Sequence, residues 1–502
     1  MTVTKEIFLK VWIRAGLKAA LLSALFLSFS SCQKTKRPSF LIIAADKLSF
    51  NSFSCNEDKG NSGSGLSVLC QEAIRYTNAY TTSTQPAAAM GSLLTGTYPF
   101  EHRLHRSFDR ISPDSPLTQE FFKKENYRTA FWGSKPSILK KTGLSRGFDI
   151  FDDYSFLDQP NYTLSFNNQI HLFENWASES TDPFFSVIYS SDLELLNEGQ
   201  AEISSLESFD ERLGTFISAL KKDNLWESNY IVVLGLQGKS EYSRLNESVF
   251  SNLHSENTNI AFFIKPPRQK GDEGVNLKVD TTTSLADFGF SLMKIVNPGL
   301  QREPDAEFPV SDFSILWLKN QVEGLNTHRR KIIIETANTW VKNLELRFAV
   351  VLNNYLFLEA GKDELYNRLT DGLETIDVIN SQIDFRPEDT AGLSVIRQKI
   401  NAKKWQEFQP DEYKWVLPNR DYWSKPNSRS EVLEKEKSRL TQEKKSQPLS
   451  TLLIYFENPK KEKDPLYEEA RRNSYNLSLE NIWGLWNPDR KWPQPSVTTE
   501  TQ

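Results

Sequence analysis

Residues 38–46, PSFLIIAAD, form an almost unbroken apolar run that ends in an acid. Such a run fits a strand buried on both faces of a parallel sheet. Four further runs of this kind follow: YRTAFWG (127–133), DPFFSVIYSSD (182–192), SNYIVVLGLQG (228–238) and NIAFFIKPP (259–267). Between them, apolar residues recur at helical spacing, as in LSVLCQEAIRY (66–76) and SLESFDERLGTFISALKKDNLW (205–226). Strands alternating with helices predict an α/β fold, a mostly parallel sheet sandwiched by helices. Ligands in such folds gather at the carboxyl ends of the strands, where Asp46 and Asp192 are expected.

The pattern changes from about Asp312. KIIIETANTWVK (331–342), LELRFAVVLNNYLFLEAG (344–361) and DELYNRL (363–369) read as short antiparallel strands joined in hairpins. Beyond residue 376 the chain becomes charged and helical in pattern, and six of the twelve Trp lie there (Trp405, Trp415, Trp423, Trp483, Trp486, Trp492). The expected division is therefore an α/β domain over 38–311, a small antiparallel part over 312–375 and a mainly helical extension over 376–502.

A net charge of −5 gives no bulk pull toward nucleic acid. The N-terminus is separate. Lys5, Lys10, Arg14 and Lys18 precede the apolar run AALLSALFLSFSS and Cys32. That order of basic segment, apolar segment and small residues describes a secretory signal over 1–31, followed by a linker over 32–37. The apolar run is shorter than the roughly 20 residues a membrane span needs. A Cys after FSS resembles a bacterial lipobox, with Phe29 where Leu is usual, and implies acylation of Cys32. Gln33 beside it resembles outer-membrane sorting. The chain is thus expected to be lipid-anchored in the outer membrane, facing the periplasm, with the membrane itself as a partner. Cys55 and Cys70 remain, and an envelope location permits a disulfide between them without requiring one.

Several segments together resemble the sulfatase branch of the alkaline phosphatase superfamily. FLIIAADKLSFNSFSC lies on that family's LITIDTLRADHLGC, LCQEAIRYTNAYTTS on LAAEGVRFTNAYTTS, and SLLTGTYP on SLLTGLYP. RGFDIFDDY and the hairpin ending in ELYN continue the match over roughly 38–375. The resemblance implies a nucleophile at the start of a Cys-x-Pro-x-Arg motif, with metal ligands from the first strand and from a later SDHG.

Counting back from Gly96, the nucleophile position holds Pro86 and the arginine position holds Met90. Proline has neither a nucleophilic side-chain atom nor an N–H, though it suits a first helical turn. Thr84 is the alternative nucleophile, but it needs a two-residue insertion that would rotate the helix by about 200°. Ser83 or Thr84 is otherwise expected to cap the helix. At the metal positions Asp46 survives, followed by Lys47, while Leu236 and Gln237 replace the acid and the His. Asp46 is expected to pair with Lys47 or to accept from backbone N–H groups. Glu194 stands where the family has a leaving-group His, beside a retained Asp192. His102 matches a family position near the motif YPHEHG, and His254 is placed on a surface loop where it could touch a ligand.

The expected pocket is Asp46, Thr84, Asp192, Glu194 and Gln237, with Asp46 and Gln237 as remnants of a metal site. No catalytic residue, metal or cofactor is expected. The implied function is a catalytically inactive sulfatase-like lipoprotein that binds or scaffolds an envelope glycan or protein. The rival reading is a hydrolase of sulfuric or phosphoric esters using Thr84 and Ca²⁺ or Mg²⁺. A phosphoethanolamine-transferase-like enzyme is a third reading, which needs the same missing groups.

Overall fold

The computed structural model describes residues 37–381, apart from 54, 56–63, 108, 135–136, 154–163, 196–204, 240–252, 269–274, 302–307, 320–329, 338–345 and 360–362, together with 390 and 392–394. The expected signal segment, Cys32 and nearly all of the extension lie outside the described residues.

The central sheet is built from β1 (Phe40–Ala45), β2 (Ile74–Tyr76), β3 (Arg128–Trp132), β4 (Ile150–Asp152), β5 (Phe184–Ser190), β6 (Tyr230–Gly235), β7 (Phe262–Lys265) and β8 (Leu277–Val279). Their order is β4-β3-β5-β1-β6-β7-β2-β8. The neighbours of β1 on both sides are parallel to it. Only β7, among the described strands of this sheet, opposes both its neighbours. The run at 259–267 therefore forms a strand as expected, but in the reverse direction.

Alternation along β1 explains the three layers. Phe40, Ile42 and Ala44 face one core and Leu41, Ile43 and Ala45 face the other, all buried. The first core is closed by α2 (Pro86–Thr95) and α5 (Leu285–Val296), through Met90, Leu93, Phe288 and Leu292. These two helices approach so closely that a Cβ at Gly289 would meet the Leu93 carbonyl at 2.3 Å. The second core is closed by α1 (Gly65–Glu72), α3 (Phe166–Ser178) and α4 (Ser205–Lys222). The sulfurs of Cys55 and Cys70 are bonded, with the two Cα atoms 5.6 Å apart.

A separate four-stranded antiparallel sheet follows: β9 (Lys331–Ala337), β10 (Leu346–Leu352), β11 (Tyr355–Leu358) and β12 (Glu364–Asn367). The β10–β11 hairpin turns at Asn353 and Asn354, with Asn353 left-handed at φ 51°, a conformation Asn tolerates. This sheet shares a core with Tyr80, Tyr98, Phe100 and Ala286 of the α/β part. No helix of the described residues is long and apolar enough to cross a membrane.

Candidate functional site

β1, β5 and β6 run in register to Ala45, Ser190 and Gly235, so the residues after them leave the sheet side by side. The Asp46 amide donates to the Ser190 carbonyl at 2.9 Å and the Leu236 amide to the Ala45 carbonyl at 2.8 Å. Asp46, Lys47, Asp192 and Leu236–Lys239 are thereby gathered at the carboxyl ends of three central strands.

Asp46 is fully buried and accepts a hydrogen bond from the Tyr189 hydroxyl at 2.6 Å. Burial, reinforced by the Asp46 charge, pushes the Tyr189 phenol well above its usual range, so it stays a donor. Lys47 is half-buried and left-handed at φ 61°. Burial lowers its ammonium pKa; the Asp46 carboxylate opposes that shift and the Lys239 charge adds to it. The Lys239 amide donates to Ser49 Oγ at 2.6 Å.

Asp192 is engaged elsewhere. It accepts from the Phe166 amide at 3.0 Å, at the start of α3, and pairs with Arg212 Nη1 at 2.7 Å. Burial raises its carboxyl pKa, and the Arg212 charge works against that rise. Glu194 lies in the helical turn Asp192–Leu195, and its side chain is outside the described residues. Gln237 is 4% exposed, and its amide makes no hydrogen bond to a described residue.

At the other candidate position, Pro86 is the first residue of α2 and Ala87–Thr95 are all buried. Met90 is fully enclosed in the core. The expectation that Ser83 or Thr84 caps this helix is corrected: Gln85 holds the N-cap position and offers no capping side-chain bond, its Nε2 donating instead to the Ala337 carbonyl at 3.4 Å. The reason is that strand β9 claims the preceding turn. Thr84 donates its amide to the Glu335 carbonyl at 3.1 Å and its hydroxyl to Thr336 Oγ1 at 2.6 Å. The Glu335 amide donates back to the Thr82 carbonyl at 3.0 Å, and Ser83 Oγ accepts from the Gln85 amide at 3.1 Å. The alternative nucleophile is thus stitched to the antiparallel sheet.

Beside this seam, His105 Nδ1 bonds Glu335 Oε1, with both side chains buried. Burial raises the Glu335 carboxyl pKa, His105 counters it and Asp109 adds to it. His102 is also interior: its Nδ1 accepts from the Leu104 amide at 3.1 Å, which leaves Nε2–H to face Ser92 Oγ at 3.1 Å. The surface placement of His254 is corrected as well. It is 2% exposed, with Nδ1 2.9 Å from Glu374 Oε2, because the end of the antiparallel part covers its loop.

A hard divalent ion needs several oxygen ligands. The described residues bring no three His, Cys, Asp or Glu side chains together in a way that could hold one. At the strand ends Asp46 is the one carboxylate at the expected ligand positions, and Leu236 has no donor atom. These residues do not fit the ion that the resemblance implies. Sequence reasoning missed Tyr189, Arg212, Lys239 and Glu335 as the groups that organise the two positions. Glu335 carried a signal, as the lone acid in the isoleucine strand KIIIETA.

A family model described as Sulfatase matches residues 38–203. No curated protein sequence matches the chain. Among solved structures, the phosphonate monoester hydrolase of Agrobacterium radiobacter is similar with a TM-score of 0.54 and 14% identity, over 74% of this chain and 97% of that one. The candidate sulfatase yidJ from Bacteroides fragilis gives 0.54 and 16%, over 74% and 98%. The protein BT4656, solved with its substrate D-glucosamine-2-N,6-O-disulfate, gives 0.54 and 11%, over 74% and 100%. With the mostly parallel sheet and the separate antiparallel sheet, these likenesses define the architecture. It is the sulfatase-like α/β fold of the alkaline phosphatase type.

Proposed function

We propose that this chain is a catalytically inactive, sulfatase-like binding or scaffolding module of a bacterial envelope, anchored through lipid on Cys32. One observation carries the loss of catalysis: the residue in register with the nucleophile is Pro86, at the first turn of a helix whose next nine residues are buried. A helix so placed serves packing, and a proline ring offers no attacking atom. Met90 in the core and Leu236 at the strand end support the same reading, since neither can hold an oxoanion or a cation. The ligand would be a glycan or protein of the envelope.

Purified protein should therefore leave an aryl sulfate and an aryl phosphate unhydrolysed, with and without added Ca²⁺ or Mg²⁺. Turnover that disappears in Thr84→Ala would establish the hydrolase reading instead. For the anchor, Cys32→Ala should move the protein from the membrane to the soluble fraction. Retention of that variant in the membrane rules out lipid on Cys32 as the anchor.

A further inference from the structure

The turn that follows β12 shows its apolar side chains to solvent and directs polar ones inward. Leu369, Leu373 and Ile376 are 76%, 60% and 62% exposed. Hydrogen bonds hold this turn in one shape. The Asp371 carboxylate accepts from the Thr375 and Ile376 amides, both at 2.7 Å. The Asp377 carboxylate accepts from the Leu365 amide at 3.1 Å, and the Val378 amide donates to the Leu365 carbonyl at 2.8 Å. Glu374, left-handed at φ 54°, reaches inward, where its Oε2 accepts from the Ser255 amide at 3.0 Å and meets His254. Arg368 also turns inward, over the Tyr80 ring at 5.2 Å. The polar residues among the three apolar ones are thus the anchors of the turn. Apolar side chains held outward on an ordered surface mark an interaction site.

The course of the chain and its composition point to what covers them. After the turn, Val378 and Ile379 pack against the core of the antiparallel sheet, and Leu393, 6% exposed, belongs to that core. Residues 395–502 therefore set out from the same part of the molecule that carries the turn. They hold six of the twelve Trp, and 20 Lys and Arg against 16 Asp and Glu, in a chain whose net charge is −5. The turn has the opposite balance, with Asp363, Asp371 and Asp377 at least partly exposed and its one base directed inward. A basic, Trp-containing segment complements an apolar patch with an acidic rim. Its attachment to the same chain raises its effective concentration at the patch.

We propose that the turn 369–376 is the docking surface for this chain's own extension, residues 395–502, whose Trp side chains cover Leu369, Leu373 and Ile376. This contact is independent of whether the strand ends carry out any chemistry.

The test places a benzophenone on the thiol of an Ile376→Cys variant of the full chain that also carries Cys32→Ala. Cys55 and Cys70 are bonded to each other, so the new thiol is the one that reacts. Isotope-labelled and unlabelled chains are mixed before illumination, which lets mass spectrometry separate links within a chain from links between chains. The expected links run from position 376 to residues 395–502 of the same chain. The same probe on Leu318→Cys, at a side chain 56% exposed, should give about tenfold fewer of them. Adding Leu369→Glu and Leu373→Glu to the Ile376→Cys variant should also reduce them about tenfold, by removing apolar area from the patch. Hydrogen exchange of β10 and β11 should stay as in wild type, which shows that the sheet behind the turn is intact. Links mainly between chains would assign the patch to a second copy and overturn the proposal. Links absent, equally frequent from position 318, or unchanged by the two Glu substitutions would overturn it as well.

Discussion

At Thr84 the amide and the hydroxyl are both taken by β9, and the helix that follows is sunk in the core. At the strand ends the Lys239 amide is held by Ser49 Oγ and Lys47 is left-handed, with both lysines half-buried. Both positions are the ones the resemblance marks, and the structure treats them differently. The first has become a seam between the α/β part and the antiparallel sheet. The second keeps charged groups at the strand ends. Substitution in a seam costs stability and substitution of a charged strand end does not, so stability measurements can separate them.

The largest effect is expected from Met90→Arg, which restores the residue type the resemblance implies. Met90 has no exposed surface, so the charge would be buried without a partner, at a cost of about 3–5 kcal/mol in urea unfolding. Near-normal stability would mean that Met90 borders an open site and that the helix is not purely structural. His105→Ala comes next. It removes one member of a buried pair and should cost about 3 kcal/mol, because Glu335 is left enclosed without its bond.

The same pair sets a pH dependence. Folded Glu335 holds its proton above its ordinary value of 4.5. Its contribution to stability is therefore complete below that value and is lost as pH rises through the folded pKa. Glu335→Gln should flatten this part of the stability-against-pH curve; an unchanged slope would assign it to another group. Lys47 works the other way. Its ammonium is depressed by burial, so below the folded pKa the charged form costs stability. Lys47→Gln should therefore lose no stability at neutral pH in urea unfolding, and a loss would contradict a cost from the buried charge. Smallest is Thr84→Val, which removes the hydrogen bond to Thr336 and should cost about 1 kcal/mol.

The central sheet was legible because β1, β5 and β6 are continuous apolar runs, and strands buried on both faces leave that signature. The reversal of β7 was not legible, since an apolar run has the same composition in either direction. The register that puts Pro86 at the helix start was readable from SLLTG, and the structure places it at the first helical residue. The helix cap was misread because Ser83 and Thr84 are good capping residues locally, whereas a strand more than 240 residues away takes the Thr84 hydroxyl and Ser83 Oγ accepts from the Gln85 amide just before the helix. His254 was misplaced for the same reason: its partner Glu374 lies 120 residues on, and hydropathy near position 254 says nothing about it.

Elemental analysis of the purified protein after equilibration with Ca²⁺, Mg²⁺, Mn²⁺ and Zn²⁺ tests the central claim most directly. The account predicts no stoichiometric divalent ion and no rise in melting temperature on adding one. One bound ion per chain, lost in Asp46→Asn or Gln237→Ala, would contradict it.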